Sequence, residues 1–233
     1  KAKLCLWNGF DYALNKLKKK IEKKIIVWEP FVSLIFENSL EIQKKTLELY
    51  TDDKTSMLTD VYTCIKKNKK KIRLGYFSAD FYSHAVSLLI SRIFELHNKD
   101  NFEIYGFALQ KPVFQDSMRD RIIKSFNEFY DLEEMTDLEI INLARSKEID
   151  IAIDLTGFTN NNRANIFFNR IAPIQINFLG YPGSMGLKNM DYIIADKNLI
   201  PKESQKFYFE KIIYLPDCYL PYDDNKKINN LYA

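Results

Sequence analysis

The sequence has 233 residues, of which 46% are hydrophobic and 28% charged, and its formal net charge is +3. This composition is typical of a soluble globular protein and excludes a disordered, collagen-like or low-complexity chain. No apolar run approaches the roughly 20 residues that a membrane-spanning helix needs, so we expect no membrane partner. Cys5, Cys64 and Cys218 show no paired spacing, which favours a reducing cytoplasm over a disulfide framework.

Positive charge is concentrated in the first 71 residues, where 16 Lys or Arg stand against 9 Asp or Glu. All of it is lysine, and no aromatic residue interleaves with residues 66–71, so we favour a solvated surface over a nucleic-acid site. An apolar stripe over residues 10–25 predicts a helix. A second helix is predicted to start near Asn38, with Glu41 placed as in a capping box. Residues 1–71 are therefore predicted to be a helical preface that ends in a lysine-rich linker.

From residue 72 onward, short apolar runs alternate with stretches of helical periodicity. Thr136 and Glu139 have the spacing of a capping box at the start of a helix. Such an alternation predicts an α/β fold with a Rossmann-like parallel sheet and flanking helices. Ligands of such sheets bind beyond the carboxyl ends of the strands, so the loops there are the candidate sites. The predicted strands are 72–78, 102–109, 128–132, 149–155, 174–179 and 192–195, and the predicted helices are 84–96, about 118–126, and one from residue 136.

The loop after the first predicted strand, residues 78–84, contains an acid, hydroxyl groups and a histidine just before a helix. His84 can serve there as a general base, or can contact a phosphate or a sugar hydroxyl. The alternative is a capping loop, in which Asp80 or Ser83 caps the helix and His84 only packs against it. The residues alone leave both interpretations open.

Two further loops are rich in polar groups or glycine. Residues 154–163 offer hydroxyls and amides suited to a sugar or a phosphate, or else form a polar turn with Asn161 or Asn162 as N-cap. Four of the seven glycines of the chain lie between residues 157 and 186. Glycine allows the backbone to approach a ligand closely, although a tight structural turn has the same composition. Neither loop has the spacing of a dinucleotide fingerprint or a Walker A loop.

Four segments, in matching order and spacing, resemble the O-linked N-acetylglucosamine transferase family, which is glycosyltransferase family 41 and includes plant SPINDLY-type and bacterial TPR-linked members. Residues 4–12 are similar to the segment that follows the TPR array in bacterial members. The resemblance extends from residue 4 to about residue 228. It implies that residues 72–228 are the N-terminal half of a GT-B fold, that residues 229–233 are a divergent tail, and that the C-terminal half is absent. The four segments are IRLGYFSADFYSH (72–84), IAIDLTGFT (151–159), APIQINFLGYPGSMG (172–186) and MDYIIAD (190–196).

The resemblance also implies a reaction and its residues. A family member transfers N-acetylglucosamine, or a related sugar, from a UDP-sugar to protein Ser or Thr hydroxyls with inversion, without a metal or a cofactor. His84 matches the family histidine discussed as the catalytic base. The sequence departs from the family at Leu88, where relatives have a second histidine, and at Phe158, where they have His or Tyr. Substrate-binding roles are predicted for Asp80, Thr156, Gly157, Thr159, Leu179, Gly180, Tyr181, Pro182 and Gly183, of which Thr159, Leu179, Gly180 and Pro182 match positions that line the sugar pocket.

The expected partners are a protein or peptide acceptor, the C-terminal catalytic half and an upstream TPR array, and no nucleic acid. In the family, most contacts to the uridine and the diphosphate come from the C-terminal half. The isolated 233 residues are therefore expected to be inactive, because they cannot stabilise the leaving diphosphate. The alternative function is a non-catalytic relic, or a module that binds peptide or sugar.

Overall fold

Seven parallel strands form one sheet in the computed structural model, which describes residues 7–52 and 70–225. Their order across the sheet is β3-β2-β1-β4-β5-β6-β7. The α/β class with a parallel, helix-flanked sheet is confirmed, although β7 was not predicted. The strands are β1 (Ile72–Ser78), β2 (Phe102–Ala108), β3 (Glu128–Asp131), β4 (Ile151–Asp154), β5 (Ile174–Asn177), β6 (Tyr192–Ala195) and β7 (Lys211–Tyr214).

The strand order reverses between β1 and β4, which are neighbours in the middle of the sheet. Leu74 of β1 pairs with Ile151 of β4, and Ile72 pairs with Phe102 of β2 on the other side. The crevice outside the carboxyl ends of the strands at such a reversal is the usual ligand site of an open parallel sheet. The loops that follow β1 and β4 both begin at this point, so the topology brings two of the predicted loops together.

Helices cover both faces of the sheet, and each face has its own apolar core. Neighbouring residues of β1 point to opposite faces, as in any strand. Tyr76 belongs to the buried cluster that contains Phe94, whereas Phe77 belongs to the cluster that contains Ile140 and Phe167. The continuous apolar runs of the strands reflect this burial on both sides. The helices are α4 (Ala85–Leu96), α5 (Ser117–Ser125), α6 (Asp137–Ser146) and α7 (Asn165–Phe168), and a 3-10 helix (Lys202–Phe207) precedes β7.

Within residues 7–52, three helices precede the sheet: α1 (Phe10–Glu22), α2 (Pro30–Phe36) and α3 (Leu40–Asp52). The first predicted helix is confirmed except at its C-terminal end. Helix α2 was not predicted, because its seven mostly apolar residues show no helical period. The next helix, predicted to start near Asn38, begins at Leu40. The Ile42 amide donates to Ser39 Oγ at 3.4 Å, so Ser39 supplies the capping oxygen.

Helix α3 packs against the glycine-rich loop. Leu47 belongs to the same buried cluster as Tyr181 and Met185, and a Cβ placed on Gly186 would lie 2.6 Å from the Leu47 side chain. The domain boundary at residue 71 stays a prediction, and lysines 66, 67 and 69 and the predicted tail at 229–233 lie outside the described residues. None of the described helices has the length and apolar character to cross a membrane.

Candidate active site

The loop after β1 presents a histidine at the start of a helix. His84 is the N-cap residue of α4, and its Nδ1 accepts a hydrogen bond from the Val86 amide at 3.3 Å. The interpretation that Asp80 or Ser83 caps this helix is therefore wrong. The His84 side chain is 41% exposed, so this ring is not packed into the core, and it can meet a substrate.

Asp80 lies beside this histidine. Its Oδ2 is 3.6 Å from His84 Nδ1, and its side chain is only 13% exposed. Burial raises the pKa of the Asp80 carboxyl, and the neighbouring His84 and a hydrogen bond from the Tyr82 hydroxyl oppose this rise without cancelling it. The Asp80 carbonyl accepts a hydrogen bond from Ser87 Oγ, which ties the loop to the first turns of α4.

The Nδ1 atom of His84 has two possible partners, and they require opposite protonation states. If Nδ1 accepts the Val86 amide, the proton of a neutral ring is on Nε2, which then acts as a donor. If Nδ1 carries the proton and donates to Asp80, Nε2 has a free lone pair and can accept a proton. The position of Asp80 thus gives His84 access to the tautomer that a general base needs.

The loop after β4 is built on a buried aspartate. Asp154 Oδ1 accepts the amides of Thr156 (2.9 Å) and Gly157 (3.0 Å). Burial raises the pKa of the Asp154 carboxyl to about 6. The Thr156 hydroxyl oxygen in turn accepts the Ala79 amide at 2.9 Å, which joins this loop to the loop after β1. Neither Asn161 nor Asn162 is the N-cap of α7, which is Ala164.

Phe158 and Thr159 continue this loop in different environments. Phe158 is buried between the rings of Tyr50 (5.4 Å between centroids) and Tyr181 (5.5 Å). Thr159 is half-buried, and its hydroxyl donates to the Thr156 carbonyl at 2.8 Å. Phe158 therefore contributes packing, whereas Thr159 remains accessible for the predicted contact with a sugar.

The loop after β5 begins with a strained turn. Leu179 has a φ of 74°, and the Gly180 amide donates to the Phe178 carbonyl at 3.0 Å, which together form the rarer and more strained kind of γ-turn. A Cβ on Gly180 would collide with the Leu155 carbonyl oxygen, and one on Gly157 would collide with the Tyr181 side chain. Glycine is therefore required at both positions for the loops after β4 and β5 to meet.

Buried side chains fix the rest of this loop. Asn177 Nδ2 donates to the carbonyls of Tyr181 and Gly183, both at 3.0 Å. Glu210, which precedes β7, accepts the Ser184 hydroxyl and the Met185 amide, both at 2.6 Å. Burial raises the pKa of the Glu210 carboxyl, an effect that these hydrogen bonds reduce. The loop is thus anchored at its middle and at its end.

The structure divides the predicted site residues into two groups. One group is at least partly accessible at the carboxyl edge of the sheet, where contact with a substrate stays a prediction. The other group is buried and holds the loops in their conformation by packing and hydrogen bonding, as the Tyr181 ring does in the core. The accessible residues are Asp80, His84, Thr159, Gly180 and Pro182, and the buried ones are Thr156, Gly157, Leu179, Tyr181 and Gly183.

Sequence reasoning missed the supporting roles of Tyr82, Asn177 and Glu210, of which only Glu210 lies outside the quoted motifs. A single carboxylate within the apolar stretch 207–214 was a signal for Glu210, because an acid there needs a buried partner. Tyr82 and Asn177 lie inside quoted motifs but carried no separate signal. Within residues 7–52 and 70–225, no three His, Cys, Asp or Glu side chains come together as metal ligands, and the absence of a metal from the reaction stays a prediction.

Comparisons with known proteins agree on one family. The family described as Glycosyl transferase family 41 matches residues 8–233. A probable UDP-N-acetylglucosamine–peptide N-acetylglucosaminyltransferase SEC of Arabidopsis thaliana is 34% identical over 68% of this chain and 16% of its own length. The UDP-N-acetylglucosamine–peptide N-acetylglucosaminyltransferase of Caenorhabditis elegans is 28% identical over 98% of this chain and 21% of its own length.

A solved structure shares the fold. A mutant of the Thermobaculum terrenum O-GlcNAc transferase superposes with a TM-score of 0.72 at 25% identity, over 78% of this chain and 35% of that chain. The present chain thus spans about a fifth of the length of these curated relatives and about a third of the solved transferase.

Proposed function

Because this chain belongs to glycosyl transferase family 41, we propose that the protein transfers N-acetylglucosamine, or a related sugar, from a UDP-sugar to Ser or Thr hydroxyls of a protein acceptor. The observation that carries the proposal is the pair of Asp80 and His84 at the point where the strand order reverses, inside segments that match the family. The reaction inverts the anomeric carbon and uses no metal or cofactor. A cytoplasmic location is also proposed, supported by the unpaired spacing of the three cysteines.

The chemistry follows from the two side chains. With the Nδ1 proton directed to Asp80, His84 Nε2 accepts the proton of the acceptor hydroxyl while its oxygen attacks the anomeric carbon. The bond from that carbon to the diphosphate breaks, and UDP leaves with the electron pair. Holding the acceptor oxygen in line with that bond is the main contribution expected of the loops after β4 and β5. Thr159 and Gly180 are the accessible residues of those loops that support this role.

The proposed active site also needs residues that lie outside this chain. Stabilising the diphosphate needs donors that face it in the transition state, and losing one such donor costs about 100- to 1,000-fold in rate. The family resemblance assigns most of these contacts to a C-terminal half. A C-terminal half and an upstream TPR array are therefore proposed partners, and the 233 residues alone are expected to transfer no sugar.

The test compares the two histidines of the chain in the full-length protein that carries it. Labelled sugar transfer from UDP-N-acetylglucosamine to a protein acceptor is measured beside thermal melting. His84→Ala should lower turnover by about 100- to 10,000-fold and lower the melting temperature only modestly, because the ring is partly exposed and the N-cap bond that is lost, from the Val86 amide, is long at 3.3 Å. His97→Ala is the matched control: His97 bonds the Tyr76 hydroxyl at 2.8 Å, so its loss should lower the melting temperature and spare turnover per folded molecule.

Two outcomes count against the proposal. Normal turnover with a lowered melting temperature in His84→Ala makes this residue structural and moves the site to the loops after β4 and β5. No transfer by the folded full-length protein, with any UDP-sugar tried, favours the alternative of a non-catalytic module.

A further inference from the structure

Residues 80–84 fold as two consecutive tight turns rather than as helix or strand. The Tyr82 amide donates to the Asp80 carbonyl at 2.7 Å, and the His84 amide donates to the Tyr82 carbonyl at 2.6 Å. The Phe81 carbonyl and the Ser83 amide take no part in these two turns. Because peptide groups in a folded protein need hydrogen bonds, both must find partners in another part of the chain. The placement of Asp80 against His84 therefore depends on what holds those two groups.

The first turn of α5 holds both groups. Asp116 Oδ2 accepts the Ser83 amide at 2.9 Å, while Asp116 Oδ1 accepts the Arg119 amide at 2.9 Å as the N-cap of the helix. Arg119 Nη1 donates to the Phe81 carbonyl at 3.2 Å. One helix start thus binds the peptide groups on both sides of Tyr82, between the aspartate and the histidine.

The two holding residues are themselves fixed. Arg119 is 7% exposed, pairs with the Asp131 carboxylate, and stacks its guanidinium 5.0 Å from the centre of the Phe129 ring. Burial raises the pKa of the Asp116 carboxyl, but the hydrogen bonds from Arg119 and Ser83 outweigh this and leave the pKa below its ordinary value. Asp116 is therefore ionised at neutral pH, and a charged acceptor makes the stronger hydrogen bond.

Building on the proposed transferase function, we infer that Asp116 and Arg119 are positioning residues for the reaction. They hold the backbone of residues 81–83 so that the Asp80 carboxylate stays beside His84 Nδ1 and His84 Nε2 remains directed to the acceptor. Their action passes through the Phe81 and Ser83 peptide groups. A misplacement of about 1 Å in a catalytic group can cost about 100-fold in rate, so small movements of this segment are sufficient.

The test uses variants of Asp116 in the full-length protein that carries this chain. Asp116→Ala removes both hydrogen bonds, whereas Asp116→Asn keeps one acceptor oxygen and is an equally good N-cap residue. Thr136→Ala is the matched control, because the Thr136 hydroxyl caps α6 by accepting the Glu139 amide of its own helix. For each protein, kcat, KM for the UDP-sugar, the melting temperature and the deuterium uptake of residues 81–84 are measured.

The expected pattern separates positioning from stability. Asp116→Ala should lower kcat by about 10- to 100-fold, change KM little and raise deuterium uptake in residues 81–84. Asp116→Asn should lose part of kcat and melt like the parent. Thr136→Ala should also lower the melting temperature, because it too loses a helix cap, and should keep the parent kcat.

Arg119 provides a second pair of variants. Arg119→Lys retains a donor for the Phe81 carbonyl and should keep more kcat than Arg119→Met, which retains none. An unchanged kcat in Asp116→Ala, or losses that follow melting temperature across all variants, overturns the inference. If the parent transfers no sugar, the proposed function fails. Deuterium uptake still shows whether Asp116 holds the backbone of residues 81–83 in place. Faster exchange in Asp116→Ala supports it, and unchanged exchange overturns it.

Discussion

Replacing Asp154 with Asn should stabilise the protein at neutral pH, and by more as the pH rises. Asp154 is buried at the end of β4, and burial raises the pKa of its carboxyl from 3.8 to about 6 against the hydrogen bonds from Gly157 and Thr156. A rise of about 2 pKa units corresponds to roughly 3 kcal/mol of unfavourable free energy when the carboxyl is ionised in the folded state.

The sign follows from proton binding. The folded state holds a proton on Asp154 more tightly than the unfolded state does, so the contribution of this group to the unfolding free energy falls as the pH rises from about 3.8 to about 6. Asn does not ionise, and its single oxygen can accept both amides, since both reach Asp154 Oδ1. The advantage of the variant should grow by roughly 1.5 kcal/mol between about pH 5 and about pH 8. Any fixed cost of burying the Asn amide leaves this growth intact.

Urea unfolding followed by circular dichroism, at several pH values, measures the difference between variant and parent. Asp196→Asn is the matched control, since Asp196 Oδ1 accepts the amides of Asn198 and Leu199 in a similar turn after β6. Backbone hydrogen bonds, first from Leu199, lower the pKa of this carboxyl, so its replacement should destabilise, and less so as the pH falls. An advantage of Asp154→Asn that stays constant or shrinks with rising pH would refute the burial argument.

Two further predictions concern a close approach of backbone and a half-buried histidine. Gly180→Ala should cost about 1–3 kcal/mol, because a Cβ at this position meets the Leu155 carbonyl oxygen. Thermal melting checks this, and a melting temperature equal to that of the parent would contradict it. Burial lowers the pKa of His97 below 6.5, so the parent should lose stability as the pH falls through about 6.5, where the unfolded state takes up the proton first. His97→Gln, which can still bond the Tyr76 hydroxyl, should lose less over that range in urea unfolding, and equal losses would contradict this assignment.

The sheet and most of its helices were predictable because the signal for each is local. A strand buried on both faces must be apolar where it is buried, as residues 74–77 are. A capping box joins residues three apart, so the spacing of Thr136 and Glu139 predicts the start of α6 without any knowledge of its packing. Helix α2 and strand β7 were not predicted because neither has such a local signal. Their sequences show no distinctive period, and contacts with the rest of the fold stabilise them instead.

The sequence identified the loops of the candidate site but not the contacts that hold those loops in place. Residues 78–84, 154–163 and 179–186 were identified from the ends of the strands and the concentration of glycine. Their hydrogen-bond partners were not. The role of Phe158 as packing between two tyrosine rings, and that of Thr156 as an acceptor for Ala79, appeared only once the loops were placed side by side.

By itself, then, the sequence determined the α/β class and the family, and it identified the loops in which we propose that the chemistry lies. Tertiary structure alone decided how these loops are held: Thr156 joins Ala79 across 77 positions of sequence, Asp116 joins Ser83 across 33, and Glu210 joins Met185 across 25. Periodicity reports which positions of one element are buried, and so contains no information on the partner. Which polar groups meet depends on the order of the strands and on the packing of the helices, and both are set by burial of apolar surface over the whole fold.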